Sequence, residues 1–351
     1  MPEIAEVALY AQSIRFILDH HQLISIEVIG GKYYTYEIHN DQGQWVNKII
    51  NPKTGRLINI DPNLHLGGRY VVNLPQLEII TAQLPLSITG VYTKGKYCWI
   101  EIGQWHIGLT FGMSGSIMYP PTIDNLIRFS QAKGKPLTAT EYTKHFHVKF
   151  TNELGQCFYF SDPRRFGTIT LTQDRQQIDR KLNSLGADLL QTPQFSSQQF
   201  IQLFQPPGYQ RQNICQLLMS QSPLAGIGNY LLNELLYRCQ INPWALVRDL
   251  SEETLQTMYM VIKDLVKTAY QMGGSSLYTY LTSQGDLGRF QHLLQVYNQK
   301  HDPLGHEVKV ISETQSPDHR TKHYVPEIQI IGRFRDPLNK IRPLLTLKKM
   351  I

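Results

Sequence analysis

Residues 211–244, RQNICQLLMSQSPLAGIGNYLLNELLYRCQINPW, decide how this chain is read. Leu217, Leu218 and Met219 close one helical apolar pattern, which Ser222-Pro223 interrupts. Ala225-Gly226-Ile227-Gly228-Asn229 opens a second pattern, in which Leu231, Leu232, Leu235 and Leu236 recur at helical spacing. Two helices are therefore expected, joined by a turn whose glycines permit close backbone approach. The start of the second helix offers free amides and the positive end of a dipole, a combination that favours an anion. Asn229, at that start, brings a further side-chain donor. A helical hairpin serves core packing as readily as ligand binding, so its partner has to be read from the rest of the chain.

With 351 residues the chain has room for two domains. Its net charge of +6 and pI near 9.0 suit a polyanionic partner. No segment approaches the roughly 20 consecutive apolar residues that span a bilayer, so no membrane role is expected. The opening MPEIAEVALYA lacks the basic-then-apolar layout of a secretion signal. The expected location is cytoplasmic or nucleoid in a bacterium and nuclear in a eukaryote. Cys98, Cys157, Cys215 and Cys239 are scattered without C-x-x-C pairing and read as buried thiols.

Pro2-Glu3 is followed by Glu6-Val7 and apolar positions at Leu9, Ile14, Ile17 and Leu18, which predict a helix. Proline in a first helical turn is ordinary. Removal of Met1, permitted by the small second residue, would leave Pro2 with a free secondary amine. An α-amino group has a reference pKa of about 8, so a useful fraction is neutral and nucleophilic near pH 7. Such an amine can attack an electrophilic carbon and leave an imine, and the neighbouring Glu3 carboxyl can give and take protons beside it. Between residues 23 and 118, short β-like runs alternate with Gly, Pro and Asn turns, which predicts a β-sandwich. The turns between residues 40 and 55 predict an inserted hairpin of no assigned function, and the polar residues 119–145 a surface loop. Three further strings stand out: Lys94-Gly95-Lys96 on a hairpin, Phe111-Gly112-Met113-Ser114-Gly115 at a tip, and Asp162-Pro163-Arg164-Arg165-Phe166-Gly167 after a strand.

In this order, these pieces resemble the formamidopyrimidine-DNA glycosylase / endonuclease VIII family of base-excision-repair enzymes. The family's opening Pro-Glu-x-Pro-Glu-Val is matched at Pro2, Glu3, Glu6 and Val7, with Ala5 in place of the second proline. The resemblance implies that residues 211–244 form a helix–two-turn–helix that holds DNA through Asn229 and the Gly226 and Gly228 amides. It implies that Pro2 and Glu3 are catalytic and that Lys96 contacts phosphates flanking the lesion. Met113 would fill the hole left by a flipped nucleotide, and Arg164 and Phe166 would form the wedge beside it. Ser275 and Ser276 fall in the family's lesion-capping loop, whose sequence here is its own, so base preference is not legible. Cys215 and Ser220 stand where many members carry lysine and aspartate, which implies one phosphate contact fewer.

The finger departs further. The family's four zinc-ligand positions fall on Leu304, Glu307, Val325 and Ile328, and leucine, valine and isoleucine cannot bind zinc. A hairpin held by apolar packing is expected, similar to the zincless finger of some endonuclease VIII-like enzymes, with Val325 and Ile328 inward and Arg320 toward DNA. His301, His306, His319 and His323 make a histidine zinc site the rival reading. The expected α+β architecture has a β-sandwich domain (1–182) with flanking helices and a linker (183–198). A helical domain (199–295), a zincless finger (296–332) and a basic tail (333–351) follow. The implied function is a monomeric, cofactor-free glycosylase and abasic-site lyase on double-stranded DNA with damaged bases or abasic sites. It would cut by β,δ-elimination through a Pro2 imine, with Lys96 and Arg320 completing the catalytic set. A catalytically idle damage-recognising relative and an RNA-binding protein are the alternatives.

Overall fold

The computed structural model describes residues 2–39, 45–47, 69–192, 194–275 and 288–337. The chain opens with α1 (Ile4–Leu18), whose Val7, Tyr10, Ala11, Ile14, Ile17 and Leu18 are all buried at helical spacing. Among the described residues, eleven strands follow in the N-terminal half: β1 (Gln22–Val28), β2 (Tyr34–His39), β3 (Trp45–Asn47), β4 (Arg69–Val72), β5 (Leu86–Lys94), β6 (Tyr97–Ile102), β7 (Trp105–Thr110), β8 (Ser116–Met118), β9 (Phe146–Asn152), β10 (Cys157–Ser161) and β11 (Thr168–Thr172). Eight of them pair antiparallel in the order β11-β7-β6-β5-β1-β9-β10-β8. β1 meets β5 at only two residue pairs, Gln22↔Ser87 and Leu23↔Leu86. The sheet therefore behaves as two four-stranded halves hinged at that seam. Their inner faces, Val91, Ile100, Ile107 and Leu109 on one side and Val148, Phe150, Phe158 and Phe160 on the other, share one core with α1. This is the expected β-sandwich with flanking helices.

The loop expected over residues 119–145 is instead helical. Besides α2 (Leu77–Thr81), the N-terminal half carries α3 (Ile123–Lys133) and α4 (Ala139–Thr143). Thr122 caps α3 by accepting from Asn125 N, and Gly134 ends it with φ +64°. Phe129 and Tyr142 pack edge-to-face and, with Met118 and Phe146, form a small separate core. Polar composition hid these helices, although both caps were present locally. The hairpin expected near residues 40–55 is described only at β3, which pairs with β2.

After α5 (Arg175–Asn183), the helices α6 (Ser197–Gln202), α7 (Ile214–Met219), α8 (Asn229–Arg238) and α9 (Glu252–Gln271) surround a second core. Ile4 and Ala5 of α1 are buried in this core, not in the first. One helix thus runs from one hydrophobic core into the other, which brings the N-terminus to the junction. A hairpin of β12 (Lys309–Ile311) and β13 (Lys322–Tyr324) closes the fold, with Lys309↔Tyr324 and Ile311↔Lys322 in register. Val296, Val308 and Val325 are buried with Tyr237 of α8, and Ile328 packs against them. Leu304 and Glu307 lie exposed.

Candidate active site

The anion at the start of α8 belongs to the protein itself. Glu3 Oε2 accepts from Gly228 N at 2.8 Å and Leu231 N at 3.3 Å, and Oε1 accepts from Tyr230 N at 2.9 Å. The positive end of α8 therefore faces a carboxylate 225 residues away in sequence. Gly226 N likewise donates internally, to Gln221 Oε1 at 2.8 Å. The two glycines are required by the N-terminus. A Cβ at Gly226 would lie 2.5 Å from Ile4 Cβ, and one at Gly228 would lie 2.3 Å from Glu3 Cδ. The close approach expected of this turn is thus to residues 3 and 4, with Ile4 N donating to Gly226 O at 3.0 Å. The amides of Gly226 and Gly228, expected to face phosphate, are engaged inside the protein.

A second buried carboxylate stands behind the first. Glu6 accepts from Glu3 N at 2.8 Å, from Tyr230 Oη at 3.0 Å and from Ser275 N at 2.8 Å. It joins the N-terminal turn to α8 and to Ser275, which is buried; Ser276 lies outside the described residues. Burial raises the Glu6 carboxyl above its ordinary value, while the donors from Ser275, Glu3 and Tyr230 oppose the rise. Burial likewise pushes Glu3 up to about 7, with Lys96 opposing and the Glu6 charge adding to it.

Lys96 comes to the same junction from the β5–β6 hairpin, near enough to feel the Glu3 charge. Its Nζ donates to Ile227 O at 2.6 Å. Burial brings its ammonium down to about 8; Glu3 works against that shift and the Arg320 guanidinium adds to it. The hairpin is pinned by Asp188, which accepts from Gly95 N at 2.7 Å and from Leu190 N and Gln191 N at 2.9 Å. A cavity of about 210 Å³ opens here, bounded by Pro2, Lys96, Tyr97, Thr110, Gly112 and Gln221 among others. Pro2 and the Lys96 ammonium thus line one cavity from distant parts of the chain, and the buried Glu3 carboxyl follows Pro2 directly in sequence.

The proposed void-filling and wedge residues gather on one side. Ser114 Oγ donates to Asp162 Oδ1 at 2.5 Å, and Arg164 N donates to Ser114 Oγ at 3.0 Å, so the 111–115 tip and the 162–167 turn are locked together. Phe166 is 57% exposed, and the Arg164 guanidinium sits 5.1 Å from its ring centre. Met113 Sδ lies 4.0 Å from Arg320 Nη1, so the tip meets the finger. Asn229 turns toward the finger as well, its Nδ2 donating to Thr321 O at 2.9 Å.

Three residues that organise this site went unnoticed in the sequence. Gln221 satisfies both Gly226 N and Ile227 O. Tyr230 bonds Glu6. Glu234, fully buried in α8, accepts from the amides of Gln295, Val296 and Tyr297 at 2.9–3.0 Å and so anchors the entry to the finger. Only a charged residue at an inward position of α8 hinted at the last. In the finger, Leu304, Val325 and Ile328 offer no ligand atom and do not fit zinc. Among the described residues, no three His, Cys, Asp or Glu side chains converge as a metal site. His306 Nδ1 sits 3.0 Å from Asp302 Oδ2, and His323 packs on Tyr297 with ring centres 5.0 Å apart.

A model of the formamidopyrimidine-DNA glycosylase N-terminal domain matches residues 71–169, and one of the formamidopyrimidine-DNA glycosylase H2TH domain matches residues 185–280. A formamidopyrimidine-DNA glycosylase of Shouchella clausii is 32% identical over 191 residues, covering 54% of this chain and 67% of the relative. This chain belongs to the formamidopyrimidine-DNA glycosylase family. Another family member, from Nitrosococcus oceani, is 29% identical over 249 residues, covering 68% of this chain and 84% of the relative. Among solved structures, the Lactococcus lactis Fpg in complex with abasic-site DNA superposes with a TM-score of 0.64 at 22% identity, over 93% of this chain and 99% of that one. MutM bound to DNA containing carbocyclic 8-oxo-G gives 0.65 at 23% identity, over 94% and 100%. At these identities the structures attest to the family's fold. The first domain match begins at residue 71 and the second at 185, so neither reaches Pro2, Glu3 or Glu6. No helix among the described residues is long and apolar enough to cross a membrane.

Proposed function

We propose that this family member is a base-excision-repair DNA glycosylase that also cleaves abasic sites, with Pro2 as nucleophile and Glu3 as proton carrier. The observation that carries the reading is the Glu3 carboxyl. It is buried, hydrogen-bonded to the start of α8, adjacent to Pro2, and raised to about 7, where protonated and ionised forms coexist at neutral pH.

The Pro2 nitrogen, once freed of Met1, bonds to C1′ of the damaged nucleoside and gives up its proton. The C1′–base bond breaks, and the base leaves with the electron pair and one proton. Protonated Glu3 then supplies O4′ as the C1′–O4′ bond opens and the nitrogen lone pair forms the iminium. The Glu3 carboxylate next takes a proton from C2′, the C3′–O bond breaks, and the 3′-phosphate leaves carrying that proton, which restores the carboxylate; the same step at C4′ breaks the C5′–O bond and releases the 5′-phosphate, after which water hydrolyses the imine and frees Pro2. Lys96 and Arg320 would hold the flanking phosphates, Asn229 would assist them, and Met113, Arg164 and Phe166 would occupy the gap left by the flipped nucleotide. The relatives' complexes contain 8-oxo-G, Fapy-dG, oxidised-pyrimidine and abasic-site DNA, which defines the panel of substrates to try.

Borohydride reduction should trap a covalent adduct between the protein and an abasic-site duplex. A form that retains Met1 should give none. Full trapping with Met1 attached would move the nucleophile to a lysine. No adduct and no base release across the panel would leave a damage-binding protein without catalysis.

A further inference from the structure

Lys322 is a cation from which solvent has been removed. Its side chain is 0% exposed, and that of its partner Asp318 is 3% exposed. The ammonium lies 2.7 Å from Asp318 Oδ2 and donates to Asn229 Oδ1 at 2.8 Å. Neither group can touch DNA from this position. Both, however, adjoin residues proposed to do so.

On one side, Asn229 is held by two finger contacts, Lys322 Nζ on its oxygen and Thr321 O on its nitrogen. On the other side, Asp318 lies within a turn in which Arg320 N donates to Ser316 Oγ at 2.9 Å, and Ser316 Oγ donates to Asp318 Oδ1 at 3.4 Å. Two further bonds fasten the same turn and strand to α7 and α8: Gln216 Nε2 to Pro317 O at 2.6 Å and His323 N to Asn233 Oδ1 at 2.6 Å. The neighbouring Cys215 thiol is buried in α7, close enough to feel both charges; burial raises it to about 12, so it stays neutral beside the pair.

We infer that the buried Lys322–Asp318 pair is a positioning device that fixes Arg320 and Asn229 in one relative arrangement for DNA, in a finger with Leu304, Val325 and Ile328 where zinc ligands would be needed. The inference rests on the proposed DNA-binding roles of Arg320 and Asn229. Its physical basis is that a buried ion pair tolerates little displacement: moving either charge leaves the other unpaired in a low-dielectric site. Each bond named above then holds a separate point of the turn that carries Arg320.

The test uses the full chain and a duplex containing tetrahydrofuran, a stable abasic analogue, with affinity measured across a salt series. Lys322→Met/Asp318→Leu removes both charges together and so avoids a stranded ion. It should bind with a salt slope lowered by about one counterion, as Arg320→Ala does. Adding Arg320→Ala to the double variant should lower the slope no further. A purely structural role would leave the slope at the wild-type value in whatever fraction folds. Lys322→Gln/Asp318→Asn, which also removes both charges and keeps side-chain shape more closely, provides the same comparison if the first double variant fails to fold. A wild-type slope in both variants, or additive losses with Arg320→Ala, would overturn the inference. Wild-type protein that binds the duplex with no contribution from Arg320 would instead refute the proposed DNA contact, a separate failure.

Discussion

Gly228→Ala changes one hydrogen into a methyl group and tests the arrangement at its tightest point. Gly228 has φ −123°, which alanine adopts without strain, so the effect is steric. The added Cβ would lie 2.3 Å from both Glu3 Cδ and Oε1 and 2.7 Å from Cγ, distances that no real contact sustains. The Glu3 carboxylate has to leave the start of α8, where it accepts from Gly228 N, Tyr230 N and Leu231 N. A hydrogen bond to a charged group contributes about 1.5–3 kcal/mol, so losing one of the three from the reacting arrangement slows the chemistry about ten- to 150-fold. Losing two multiplies the effect. The assay is the single-turnover rate of borohydride trapping on an abasic-site duplex, with Gly208→Ala as control because a Cβ there meets nothing within 4 Å. If Gly228→Ala traps within about threefold of wild type, below the loss of even one such bond, then the Glu3–α8 contact does not support the chemistry and the proposed role of Glu3 is wrong.

The Glu3 carboxyl, at about 7 against an ordinary 4.5, holds its proton more tightly folded than unfolded, so the folded state loses stability as pH rises between those values. Glu6 acts in the same direction; thermal unfolding of Glu3→Gln should therefore show a shallower decline across that window, and an unchanged profile would contradict the shift. Arg320→Ala should lower the salt dependence of duplex binding by about one counterion, whereas Met113→Ala should slow base release and leave the slope as it is. Equal slope changes from both would mean that clamp and void-filler have been confused. Activity and thermal unfolding should be unchanged in chelator, with no stoichiometric metal by elemental analysis. Stoichiometric zinc whose removal abolishes activity would restore the histidine site. Asp188→Ala should destabilise the protein by about 1–3 kcal/mol in denaturant unfolding, because it leaves the amides of Gly95, Leu190 and Gln191 without their acceptor. It should also weaken duplex binding, since the same carboxylate pins the hairpin that carries Lys96.

The sequence by itself determined what depends on local patterning. Leucines at helical spacing on both sides of Ser222-Pro223 and the glycines of 225–229 predicted α7, α8 and a turn that something approaches closely. Alternating strands predicted the sandwich, and ordered strings from Pro2 to Arg320 predicted the family. The helices α3 and α4 were also locally encoded, by Thr122, Gly134 and Thr138, but their polar surface masked the caps. What approaches the α8 turn was decided only by tertiary structure. Favourable charge at a helix start is satisfied equally by a phosphate or by a carboxylate, and nothing near residue 228 distinguishes them. Because α1 runs from one core into the other, Glu3 arrives there first. The same holds for Glu234, which anchors amides 61 to 63 residues away, and for Lys322, whose burial nothing in the local sequence announces. Side-chain identity states which charge is present; only the packing of distant segments determines whether water, DNA or another side chain answers it.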